Sequence, residues 1–172
     1  MSSTVAHLEF ENSEITVRAT KKTPKIETPG ITLKSVQSGN ELTTIFWLAD
    51  ELVSHGLAEY TDLSINQTEW TQIHFKERIN PAGPPGPLPD QFYEKAYQTF
   101  KQAPRYEEEV VLRRIKARYR DILESRIGRI ARVASSGAGS PASPLPKHEG
   151  RLYDEVHRTV LEWRQKMRSI GE

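Results

Sequence analysis

The 172 residues include no cysteine, which excludes disulfide staples, thiolate nucleophiles and every zinc site built on sulfur, and fits a reducing compartment. Long apolar runs are missing as well. None approaches the ~20 residues that cross a bilayer, and Met1-Ser2-Ser3-Thr4-Val5-Ala6-His7 is no charged, apolar leader, so a soluble intracellular protein is expected. Signatures of catalysis are equally scarce. The chain has no H-E-x-x-H and no G-x-S-x-G elbow, and Gly83 to Gly86 lacks both the preceding strand and the lysine of a phosphate loop. Of the five histidines only His74/Glu77 and Asp154/His157 have ligand-like spacing, and one such pair supplies two ligands where a metal needs three or four. No catalytic, cofactor or metal set is expected.

Hydrophobic residues make up 36% of the chain, enough for one ordinary domain or two small ones, and a proline-rich tract near the middle favours two. Small domains bury a modest fraction of their surface, so association with other chains is a reasonable expectation. The net charge is only +1, but it is unevenly divided. Residues 1–65 carry five Lys/Arg against nine Asp/Glu, and residues 66–172 carry nineteen against fourteen, as expected of two units with different contact surfaces.

Residues 1–65 read as a small β-rich domain with one helix. Leu8 and Phe10, then Ile15, Val17 and Ala19, alternate with polar residues as strands do, with Asn12-Ser13 as a hairpin turn between them. Thr28-Pro29-Gly30 breaks the chain before Ile31, Leu33 and Val36. After Ser38-Gly39-Asn40, the spacing of Ile45, Leu48, Ala49, Leu52 and Val53 predicts a helix, capped by Thr43 and stopped by Gly56. Leu57 to Tyr60 is the closing strand. Leu42, Trp47, Leu48, Leu52 and Leu57 are its expected core.

Residues 66–172 read as a helical domain, giving an α+β chain overall. Asn66 with Glu69, and Ile65 with Trp70, have the form of a capping box and a hydrophobic staple for a helix to Ile79. Residues 80–89, rich in Pro and Gly, form an extended connector; a polyproline ligand is the lesser reading, because two glycines loosen that helix. Phe92, Tyr93, Ala96, Tyr97 and Phe100 share a face of the next helix, which ends at Pro104. From Tyr106 to about Val133 there is no proline, and Leu112, Ile115, Tyr119, Ile122 or Leu123, Ile127, Ile130 and Ala134 step by three and four along a helix roughly 40 Å long, more than a small core can satisfy. A low-complexity loop at 135–146 leads to a last helix with Leu152, Val156, Val160, Trp163 and Met167 on one stripe.

The long helix also carries Arg113, Arg114, Lys116, Arg118, Arg120, Arg126, Arg129 and Arg132. Glu107 to Glu109, Asp121 and Glu124 mix the signs and weaken any counterion-release drive toward DNA, so direct DNA contact is the lesser expectation for it. Arg126 and Arg129 differ from the others. They interrupt an apolar stripe, where guanidinium groups form buried ion pairs inside or between subunits.

Leu88-Pro89-Asp90-Gln91-Phe92-Tyr93, the later Glu124-Ser125-Arg126-Ile127-Gly128-Arg129-Ile130-Ala131, and Leu145-Pro146, Glu149 and Leu152-Tyr153 fall in the order of the helical domain of GINS replication subunits. Gly39, Leu42, Trp47-Leu48-Ala49, Glu51-Leu52-Val53 and Gly56-Leu57-Ala58-Glu59 resemble the family's small sheet domain. From about Ile31 to Met167 the chain is thus similar to a GINS subunit of archaeal type, in the class with the sheet domain first. The resemblance implies a non-catalytic subunit without cofactors that pairs with a helix-first GINS subunit in a heterotetramer. It further implies a bridge between the MCM helicase and a RecJ-like protein, with contacts to primase or polymerase. The expected subunit interface is Phe92, Tyr93, Tyr97, Phe100, Leu112, Ile115, Tyr119, Leu123, Arg126, Ile127 and Ile130. The competing expectation is a DNA-binding regulator, since Ile45 to Tyr60 also reads as a winged-helix fragment, although its acidic balance opposes phosphate.

Overall fold

The computed structural model describes residues 8–61, 64–137 and 144–171, and the protein is α+β. Five strands, β1 (Glu14–Ala19), β2 (Ile26–Thr28), β3 (Ile31–Leu33), β4 (Glu41–Ile45) and β5 (Ala58–Tyr60), lie in its N-terminal part, with helix α1 (Phe46–Ser54) between β4 and β5. Four longer helical segments follow: α2 (Gln67–Ile79), α3 (Phe92–Gln102), α4 (Glu109–Ser136) and α5 (Lys147–Arg168). Two compact units divide the chain. The first holds the residues up to Asn66 together with Tyr93–Glu108, and the second holds Gln67–Phe92 and the residues from Glu109 onward. The chain therefore passes between units three times, where the pattern of the sequence places one boundary near residue 65.

In the first unit β1 is the central strand, antiparallel to β4 on one side and β5 on the other. Its alternation puts Val17 and Ala19 in the core with Leu33, Leu42, Phe46, Leu48, Ala49, Leu52, Ala58 and Tyr60. β2 and β3 form a separate hairpin whose two-residue turn is Pro29-Gly30, with Gly30 at φ 90°, where a side chain would be strained. Thr23 ties the chain around this hairpin: its hydroxyl accepts the Val36 amide at 2.8 Å, and its carbonyl accepts the Ser35 hydroxyl at 2.7 Å.

Three expectations change here. Residues 8–11 are a helical turn, because the Asn12 amide and side chain both donate to the Leu8 carbonyl and the Ser13 hydroxyl donates to that of Phe10; Asn12-Ser13 closes a helix end instead of joining strands. Thr43 lies within β4 and shares a hydroxyl contact of 2.8 Å with Thr16 on β1, so α1 starts after Ile45 with no side-chain cap. The β-branched run Thr43-Thr44-Ile45 suits a strand better than a helix start. Because α1 begins at Phe46, that ring enters the core and Trp47, one residue off the inward stripe, is 39% exposed. Leu42, Leu48 and Leu52 are buried, and Leu57 is half-buried against the same cluster.

Helix α3 belongs to this unit after its first residue. Tyr97 packs edge-on to Phe46 at 5.8 Å, and its hydroxyl donates to Glu11. Three buried polar side chains follow one another down the same face. Gln98 donates to the Ser13 hydroxyl at 2.9 Å and the Glu14 carbonyl at 3.1 Å while accepting from Ser64 at 2.7 Å. The Thr99 hydroxyl accepts the Ile65 amide at 2.9 Å, and the Gln102 carbonyl oxygen accepts the Ser64 amide at 3.2 Å. Each bond satisfies a group that burial would otherwise penalise. After α3, Pro104 sits in a 3₁₀ turn at Ala103–Arg105. Arg105 reaches Asp50 at 2.8 Å, and the Tyr60 hydroxyl donates to the same carboxylate at 2.8 Å.

Burial, then the neighbouring Asp50 carboxylate, pushes the Tyr60 hydroxyl well above the usual tyrosine range, and burial with Glu11 does the same for Tyr97. In the second unit burial alone raises Tyr119. Unfolding returns these phenols to about pH 10, so the stability they contribute is fully present below that pH and declines as pH rises beyond it. Absorbance titration is expected to show Tyr60, Tyr97 and Tyr119 ionising only as the protein unfolds. Ionisation of all six tyrosines near pH 10 in protein that keeps its circular dichroism is the contrary result.

Candidate interaction interface

In the second unit the side-chain contacts between helices rise together in residue number. His74 of α2 meets Asp121 of α4 and Glu77 meets Arg126 and Arg129, while Arg126 meets Glu149 of α5 and Ala134 meets His157. Helices α2, α4 and α5 therefore run in the same direction. Near one end Trp70, Phe92 and Tyr119 form an aromatic trio with ring centroids 5.8 to 6.3 Å apart, joined in the core by Ile73, Ile115 and Ile122. Toward the other, Ile130, Ala134 and Tyr153 pack with Val133, Leu145, Leu152 and Val156.

Between these apolar groups lies a buried set of charges. Arg126, 1% exposed, forms a fork with Glu149: Nε donates to Oε1, and Nη2 donates to Oε2 at 2.6 Å. Its Nη1 donates to Glu77 Oε1 at 2.7 Å and to the Gly86 carbonyl at 2.9 Å. Arg129 donates from Nη2 to the Glu77 carbonyl in the last turn of α2, and its Nη1 stands 3.4 Å from Glu77 Oε2. Two guanidinium groups thus face two carboxylates, all four buried. Burial alone would depress the Arg126 pKa, but the bonded carboxylates of Glu149 and Glu77 outweigh it and raise it. Glu149 also occupies the first turn of α5, where a negative charge is favoured by the helix dipole.

The Pro/Gly connector is attached to the same helix. Arg126 holds the Gly86 carbonyl, and Arg132 donates to that of Ala82 at 2.9 Å. Residues 80–83 form a turn, with the Gly83 amide donating to the Asn80 side chain at 3.1 Å, so the segment does not start as an extended spacer.

Several residues expected at a subunit interface belong to the chain's own core. Phe92, Ile115, Arg126 and Ile130 are buried within this single chain, so a sister subunit could reach them only by disrupting the unit. Tyr93, Tyr97, Phe100, Leu112, Tyr119 and Leu123 are half-buried, and Ile127 is exposed. The sequence pattern missed Glu77 and Glu149 as partners of the two arginines. Each lies on an otherwise polar-looking helix, and only the need to neutralise a guanidinium within an apolar stripe pointed to unnamed acids. The two histidine pairs part as well: His157 Nδ1 lies 2.8 Å from the Ala134 carbonyl, and His74 turns to Asp121. Among the described residues no group of three or more His, Cys, Asp or Glu could hold a metal ion, and no helix is long and apolar enough to cross a membrane.

An apolar stripe left open among the described residues lies on α5. Its stripe starts buried at Tyr153, becomes half-buried through Val156 and Val160, and then emerges, with Trp163 61% exposed and Met167 and Ile170 exposed beyond it. Helix α4 ends at Ser136, whose neighbour Ser135 accepts Arg164 through its carbonyl. The rest of α5 continues past that end.

No protein-family model matches the chain, and no curated protein matches it significantly.

Removing one member of a buried ion pair leaves the other charge without compensation, at a cost of about 3–5 kcal/mol. Arg126→Met, which strands Glu149 and leaves Glu77 with Arg129 alone, is expected to lower the unfolding free energy by that amount in urea titrations. A midpoint equal to that of the unaltered chain would show that the cluster holds nothing together.

Proposed function

We propose that the protein is a non-catalytic subunit of a GINS-like heterotetramer, a scaffold for the replicative helicase at the DNA replication fork. The observation that carries this reading is the apolar stripe of α5 that outruns its own unit, leaving Trp163, Met167 and Ile170 exposed. A fully buried side chain of this size contributes about 1.5–3 kcal/mol, so a few of them suffice to decide assembly. The succession of a small sheet-rich part and a mainly helical part agrees with the sheet-first class. Arg126 and Arg129, the arginines of the segment that resembles the family, act here as the junction of the helical unit.

On this reading the exposed stripe and Ile127 meet a helix-first GINS subunit, and the assembled tetramer presents further surfaces to the MCM helicase, a RecJ-like protein, and primase or polymerase. The absence of cysteine agrees with an intracellular setting, nucleoid-associated in an archaeon or nuclear in a eukaryote. The alternative of a winged-helix regulator draws less support. Within the Ile45–Tyr60 segment α1 buries Phe46, Leu48, Ala49 and Leu52 and is followed at once by β5, so no second helix follows it in that segment to complete a reading head.

Light scattering of the chain co-expressed with a helix-first GINS subunit tests the proposal. A stable tetramer is expected, and Trp163→Glu is expected to dissociate it while leaving the circular dichroism of the isolated chain unchanged. Ile130→Ala belongs to a different class, because Ile130 is core: it should destabilise the chain itself by about 2–5 kcal/mol. A monomer indifferent to the partner subunit, or a tetramer unaffected by Trp163→Glu, contradicts the reading.

A further inference from the structure

Arg114 and Arg118, one turn apart on α4, face Gln67, Thr68, Thr71 and Gln72 of α2 across an open cavity of about 390 Å³. No carboxylate lines it. Neither guanidinium makes a hydrogen bond or ion pair among the described residues, although ion pairs elsewhere on α4 engage Arg113, Asp121, Arg126 and Arg129. Apart from Thr71, whose hydroxyl donates to the Gln67 carbonyl at 2.8 Å, the lining side chains are of types that donate hydrogen bonds. Two fixed positive charges with amide and hydroxyl donors around them, and no competing acid, make a receptor for an oxyanion.

The wider charge pattern selects the kind of anion. Between Val110 and Arg120 the helix contains no acidic residue and five basic ones, Arg113, Arg114, Lys116, Arg118 and Arg120. Among the described residues only Arg113 of these five has a carboxylate partner, Glu109 at 3.8 Å. The nearest acid after the run, Asp121, is engaged by His74 at 3.2 Å. The mixed signs of the helix therefore separate in space along its length, and its first half is a stretch of uncompensated positive charge. A single phosphoryl group would be satisfied by the cavity alone. The uncompensated charges on both sides of the helix, Arg114 and Arg118 on one and Lys116 and Arg120 on the other, together make a positive potential that favours a polyanion over a single phosphoryl group.

We propose that the cavity between the start of α2 and the first half of α4 seats a phosphate of a nucleic-acid backbone, with Arg114 and Arg118 as its ligands and with Lys116 and Arg120, about half a turn round the helix, adding positive potential without touching that phosphate. The uncharged Gln and Thr side chains would donate to phosphate and sugar oxygens without reading bases, so binding is independent of sequence. This inference does not depend on the tetramer, since the chain alone contains the whole cavity.

Fluorescence anisotropy of the full chain with labelled single-stranded and duplex oligonucleotides of mixed sequence, over a salt series, tests it. Binding that weakens as salt rises is expected, and R114Q/R118Q should lower the affinity at least tenfold at low salt. The same variant should reduce the slope of log affinity against log salt by about 1.4 for single strands or about 1.8 for duplex, two phosphate contacts' worth; the larger loss identifies the strand form the cavity takes. K166Q/R168Q removes equal charge from the exposed end of α5 and should change the affinity little. Four outcomes overturn the proposal: no binding by the unaltered chain, equal affinity in R114Q/R118Q, equal loss in K166Q/R168Q, or displacement of the oligonucleotide by inorganic phosphate beyond the effect of chloride at the same ionic strength.

Discussion

The helical unit depends on one guanidinium. Arg126 bonds α2 through Glu77, the Pro/Gly connector through Gly86 and α5 through Glu149, so it is the only side chain described that joins α4 to all three. A buried charge of this sort is a demanding way to fasten helices. Desolvation costs several kcal/mol per ion, and the arrangement is tolerable only when every charge is answered. Here the two arginines and two glutamates balance in charge, although Arg129 Nε and Glu77 Oε2 make no hydrogen bond. What such a cluster contributes is register: helices held only by apolar stripes can slide, whereas a forked Arg126–Glu149 contact fixes which turn of α5 faces which turn of α4.

That register determines what is left outside. With Glu149 pinned beside Arg126 and both helices running the same way, α5 reaches beyond the end of α4 and its stripe loses cover after Val160. The exposed Trp163 and Met167 are a consequence of alignment, because they lie on the face that is buried at Tyr153. A unit built this way leaves an apolar end uncovered among the described residues. The opposite end is electrostatically different, since the basic run of α4 lies beside the start of α2 and away from the Arg–Glu cluster.

Much of this was legible in the sequence where one periodicity extended over many residues. The helices at Gln67, Phe92, Glu109 and Lys147 begin or end near their expected positions because apolar spacing, Asn66 and Pro104 all agree. Short segments were not legible. Leu8 and Phe10 alternate with the period of a strand, and it is the hydrogen bonds of Asn12 and Ser13 that decide for the helix. Thr43 could cap a helix or pair in a strand, and only the long-range register with Thr16 selects the strand. At the candidate interface, Arg126 and Arg129 stood out, but Glu77 and Glu149 did not, because an acid on a polar helix looks solvated until its partner is known. The polar seam of Gln98, Thr99 and Gln102 was invisible for the same reason: its partners lie 34 residues or more away in the chain. The low-complexity stretch is only partly accessible to comparison, since residues 138–143 lie outside those described and α4 itself continues to Ser136.

The most direct measurement is native-state hydrogen exchange across α2, α4 and α5 as a function of denaturant. If the Arg126 cluster binds the three helices into one block, the slowest amides of Ile73, Ile122 and Tyr153 should converge on a single opening free energy and denaturant dependence. Separate openings, with α5 exchanging at low denaturant while α2 and α4 stay protected, would contradict the account.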